Sequence, residues 1–143
     1  MGREYWSLFD YEGYETMIND LKYFKHEEFD SPDLPGSASG MNPEFLKIID
    51  QIRGKCGFPL HINSGFRTKA HNEKVGGKPE SAHTLGLACD ILVLGSRERF
   101  KIIEAALSLG IKRIGIGTTF LHLDMDFSKD QEVVWLYPAG TGG

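Results

Sequence analysis

The chain has no excess of positive charge: 16 lysines and arginines stand against 20 aspartates and glutamates, a net charge of −4. Nucleic-acid binding through phosphate neutralisation needs a basic face, so the balance argues against such a partner. Cysteine is scarce too. Cys56 and Cys89 are the only two, too few for a disulfide framework, and both are expected to be buried free thiols. Long apolar runs are missing as well. No stretch approaches the ~18 apolar residues of a membrane span, and Met1-Gly2-Arg3-Glu4-Tyr5-Trp6 lacks the charged-then-apolar pattern of a secretory signal. The expectation is a monomer, cytoplasmic as synthesised, without a membrane span.

What is present suits one domain. A chain of 143 residues can bury roughly two thirds of its unfolded surface around a single core. Residues 1–20 mix aromatics (Tyr5, Trp6, Phe9, Tyr11, Tyr14) with acids in no clean period and are read as an arm without an assigned role. The domain is placed at 21–137 and a frayed tail at 138–143. Asn42-Pro43 predicts a helix start, Phe45, Leu46, Ile48, Ile49 and Ile52 its apolar stripe, and Gly57 its end. Leu60 to Asn63 reads as a strand, Thr68 as the cap of a short helix to Lys74, and Ala88 to Leu94 as a second strand. Ser96 is expected to cap a helix to Leu109 with Phe100, Ile103 and Leu107 buried, and Gly110 to follow its end. Arg113–Gly117, Phe120–Met125 and Glu132–Tyr137 complete the chain as successive strands, the first two a hairpin about Thr118-Thr119. The class is α+β, with a closing meander.

The chemistry gathers in two stretches. Ser81-Ala82-His83-Thr84-Leu85-Gly86-Leu87-Ala88-Cys89-Asp90 sets His83 and Asp90 seven residues apart, and Leu121-His122-Leu123-Asp124 supplies a second histidine. Two imidazoles and one carboxylate are the set a catalytic zinc requires, because three protein ligands leave the fourth position for water. Strand alternation points His122, Asp124 and Asp126 one way and Leu121, Leu123 and Met125 the other. By the same rule, an Asp90 aimed at a metal sends Cys89 into the core. Asp124 has two readings: a general base for metal-bound water, or a carboxylate that orients a ligand histidine.

The pattern Ser81-x-His83-x-x-Gly86-x-Ala88-x-Asp90, then His122-x-Asp124, with Ser64-Gly65-Phe66-Arg67-Thr68 upstream, resembles the zinc peptidase family of D-alanyl-D-alanine carboxypeptidases, vancomycin-resistance dipeptidases and phage endolysins. Its fold is shared with the hedgehog signalling domain. The stretch Arg67-Thr68-Lys69-Ala70-His71-Asn72-Glu73-Lys74-Val75-Gly76-Gly77 is similar to the phage-type branch, and the likeness runs from about Phe24 to Tyr137. The resemblance implies a single domain with a small, mainly antiparallel sheet flanked by helices, one zinc on His83, Asp90 and His122, and a peptidoglycan peptide as substrate, cut at bonds involving D-alanine. It also implies action on the cell wall after phage-type release, and an Arg67 that contacts the substrate carbonyl or carboxylate. His71 joins Arg67 as a candidate substrate contact or proton shuttle. Ser81 is placed on the substrate side too, bonding the loop backbone and not acting as a nucleophile. Many relatives carry an acid three residues before the last histidine, or a histidine two before it; here those positions are Thr119 and Phe120. That departure leaves room for a zinc-stabilised binding module or a phage structural part. His26 and His61 have no motif around them.

Overall fold

A computed structural model describes residues 21–143; the expected arm, 1–20, lies outside the described residues. Helix α1, Pro43–Cys56, starts as its sequence predicts: the Asn42 side chain accepts from the Phe45 amide at 3.1 Å, and Gly57 ends the helix in the left-handed region at φ 75°. Phe45, Leu46, Ile49 and Ile52 are buried along one face. Buried Asp50 accepts from the amides of Lys22 and Tyr23, tying the incoming chain to the helix. Helix α2, Lys69–Lys74, carries the expected Thr68 cap, which accepts from the His71 amide at 3.1 Å.

Helix α3, Ser96–Ser108, departs from expectation in two ways. Gly95 occupies the cap position with no side-chain bond, so Ser96 is the first helical residue. The buried face is Ile102, Ala105 and Ala106, while Phe100 and Leu107 are 65% and 57% exposed. α3 packs against α1, with Ala105 and Ala106 on its buried face. Gly110 follows the helix at φ 89°, as the sequence suggested.

Five strands form one sheet: β1 His61–Ser64, β2 Ala88–Leu92, β3 Arg113–Ile116, β4 Phe120–Asp124 and β5 Val133–Leu136, in the order β1-β2-β4-β3-β5. Three neighbouring pairs are antiparallel, and β5 runs parallel to β3. The class is α+β, as expected, but the meander is not. β4 and β5 run in opposite directions like arms of a hairpin, and β3 fills the slot between them. Their connection is pinned at β3's start: Arg113 Nη1 donates to Asp130 O at 2.6 Å and the Val133 amide to Lys112 O at 3.1 Å. Cys89, Ile91, Ile114, Leu121 and Leu123 face the helices and make the core. Residues 138–141, expected to fray, close a turn in which Thr141 bonds the Pro138 carbonyl through its amide and its hydroxyl. Among the described residues no helix is long and apolar enough to cross a membrane.

Candidate metal centre

On the other face of the sheet, Ser64, Asp90, His122, Gly115 and Trp135 stand side by side on five adjacent strands, each in register with the next. Alternation would put Ile62 and Ser64 on one face. A register shift between them opposes two steps of β1 to one step of β2, from Ile91 to Asp90. The irregularity lets Ile62 enter the core while Ser64 joins Asp90 on the site face. His83 arrives from outside the sheet on the 3-10 helix Ala82–Leu85. Ser81 caps that turn, accepting from the His83 amide at 3.2 Å. Gly86 ends it at φ 72°, pressed against the Gly40 carbonyl so closely that a Cβ would collide.

Three donor atoms converge from these elements. His83 Nε2 lies 3.3 Å and His122 Nδ1 2.9 Å from the same Asp90 Oδ1, and the three atoms fall within 4.8 Å of one another. Zinc bonds of ~2.0–2.1 Å in a tetrahedron put ligand atoms about 3.3–3.4 Å apart, so the spacing and the two-nitrogen, one-oxygen set fit that ion. The residues are 2%, 3% and 7% exposed for His83, Asp90 and His122. Each ring is aimed from behind. His83 Nδ1 sits 2.8 Å from the Gly65 carbonyl, which can only accept, so Nδ1 carries the hydrogen and Nε2 presents its lone pair. His122 Nε2 lies 2.6 Å from Asp124 Oδ2.

The charges follow this geometry. Burial pushes the pKa of His83 down, with Asp90 pulling the other way, and leaves the ring's neutral form favoured. For Asp90, burial acts upward but is outweighed by His83 and the bonds to both histidines, which hold the carboxyl well below the usual carboxylate range. Burial also opposes charge on His122, yet hydrogen bonds to Asp124 and Asp90 raise its pKa. Burial of Cys89 raises its thiol well above the ordinary value, and the residue faces the core as alternation required.

Asp124 stands on the far side of His122 from the convergence point. Its Oδ1 receives Arg113 Nε at 2.8 Å and the Asp126 amide at 3.0 Å, while its Oδ2 takes the histidine. Each oxygen thus has a partner on the chain, and Asp124 also lines the cleft beside His122. Arg67 is beside the centre as expected, with Nε on Ser64 Oγ at 3.1 Å, Nη1 on Asn72 Oδ1 at 3.3 Å and Nη2 on Asp90 Oδ2 at 3.4 Å. Ser81 lines the same cleft, of about 630 Å³; His71 does not line it. The sequence reading missed Arg113, Trp135 and Tyr137, which line the cleft too. The alternation of Trp135 and Tyr137 in the last strand was the signal for the aromatic pair. Arg113 belongs to no motif and emerges only from its register opposite Asp124.

His83, Asp90 and His122, all buried, could together hold a metal ion, with the Arg67 guanidinium fixed beside them. The chain belongs to the peptidase M15 family, whose profile matches residues 22–124, and the family is one of metallopeptidases. None of the curated proteins compared with it matches the sequence.

Proposed function

We propose that the protein is a zinc metallopeptidase that hydrolyses amide bonds involving D-alanine in peptidoglycan stem peptides or cross-links. The observation carrying this reading is the convergence of His83 Nε2, Asp90 Oδ1 and His122 Nδ1 in a buried corner of an open cleft. Bound there, zinc supplies a Lewis acid and a water whose pKa falls toward about 7. The chain's own groups do the rest. Gly65 O and Asp124 fix the two rings. Arg67, held at three nitrogens, presents its charge to a carbonyl oxygen or terminal carboxylate where negative charge gathers. Asp124 orients His122 and does not take the proton.

A second reading, a zinc-stabilised binding module, draws on Thr119 and Phe120 at the positions where relatives keep a base. The same reaction separates the two. Purified protein with zinc should release D-alanine from stem peptides or open cross-links in isolated walls, and a chelator should abolish the release. Zinc-loaded protein that binds wall peptide but never cleaves it would establish the module instead.

A further inference from the structure

β5 contributes a wall that no motif announces. Trp135 is in register with Gly115, which is in register with His122. Gly115 has no side chain to spare: a Cβ there would stand 2.7 Å from Trp135 Nε1 and would press on the Tyr137 ring as well. The bare backbone therefore makes the bed on which both rings lie. The Trp135 ring is 5.5 Å from His122 and the Tyr137 ring 6.4 Å, centroid to centroid. Tyr137 is thus on the opposite flank of His122 from Asp90 and Arg67, and it lines the same cleft.

We infer that the Tyr137 hydroxyl donates a hydrogen bond to the reacting oxygen of the substrate, facing Arg67 across the cleft. The inference rests on the peptidase reading above. Thr119 and Phe120 leave the usual carboxylate position empty, Asp124 already holds His122, Arg113 and the Asp126 amide, and His71 is outside the cleft. Of the cleft's remaining uncharged donors, the phenol is placed by its ring at the metal-binding row. The Trp135 and Tyr137 rings lie 6.2 Å apart, centroid to centroid, on the bare backbone of Gly115. The phenol has a hydrogen of its own to give. A phenol, whose ordinary pKa is about 10, carries that hydrogen at neutral pH. A donor aimed at the place where charge develops acts more on the transition state than on the bound substrate.

The test pairs kinetics with binding. Zinc-loaded wild type and Tyr137→Phe, which keeps the ring on Gly115, would be compared on an acylated peptide ending in D-Ala-D-Ala. Calorimetry would compare their affinity for a phosphinate isostere of that terminus, whose tetrahedral oxygens imitate the transition state. The expected result is a kcat about 10²–10³-fold lower in the variant with KM little changed. Phosphinate affinity should weaken by a comparable factor, while zinc content stays at the wild-type level. Equal kcat and equal phosphinate affinity in wild type and Tyr137→Phe would overturn the inference and leave the peptidase reading intact. Wild type that neither cleaves the peptide nor binds the phosphinate would overturn both.

Discussion

Replacing Asp124 by asparagine keeps the side chain's size but exchanges one carboxylate oxygen for an amide in a group that holds His122, Arg113 and the Asp126 amide together. An orienting carboxylate is expected to show itself as zinc affinity down by about 10–100-fold, with turnover recovering at saturating zinc. A general base would instead leave zinc in place and lower turnover by about 10²–10⁴-fold at every zinc concentration. A titration of Asp124→Asn with free zinc reads this directly. Arg67→Lys should fold like wild type and lose most activity, because an ammonium cannot reproduce three donor directions toward Ser64, Asn72 and Asp90. Wild-type turnover in that variant would reduce Arg67 to a solubilising charge. Cys89, buried and with its thiol pKa pushed up, should react with a thiol reagent only on unfolding. At this scale the sequence was informative wherever chemistry demands a fixed set of residue types. His83, Asp90 and His122 could be named because they are the residue types a tetrahedral metal needs and because they fall in the motif through which the chain resembles its family. Arg113 could not, because an arginine two strands from Asp90 carries no local mark until the strands are paired.

Elements were legible to the degree that their signals are local. α1 has an asparagine, a proline and a terminal glycine at its ends, each acting through its own backbone neighbours. The buried face of α3 is a different matter. Phe100, Ile103 and Leu107 have helical spacing, and so do Ile102, Ala105 and Ala106; of the first set only Ile103 packs against the core, partly buried, while the second forms the buried face. β5 was readable as a strand but not as β3's parallel partner, since that pairing depends on which slot remains when β3 and β4 have met. Two glycines test how these elements place the site. Gly86→Ala should cost at least about 1 kcal/mol for the left-handed backbone alone. Its collision with the Gly40 carbonyl should add to that and move His83, so thermal unfolding should occur earlier and zinc should bind more weakly. Gly115→Ala should spare the fold's core yet displace Trp135 and Tyr137 from their bed, with activity falling while zinc remains. Unchanged activity in Gly115→Ala would show that the aromatic wall is only packing.

Across the whole molecule the sheet has two unlike faces. One is covered by α1 and α3 and supplies the core; the other carries, in a single row, the arginine's Ser64 anchor, two metal-binding candidates, a bare glycine and an aromatic wall. Of the three metal-binding candidates His83 alone comes from outside the sheet, and the capped turn between Ser81 and Gly86 brings it in. The central claim is that this convergence holds one zinc. Elemental analysis after equilibration with zinc and removal of free ion tests it most directly, on the wild-type protein and on the His83→Ala, His122→Ala double variant. The expected result is about one zinc per wild-type chain and none in the double variant, with both still folded by circular dichroism; full zinc in the double variant would contradict the assignment.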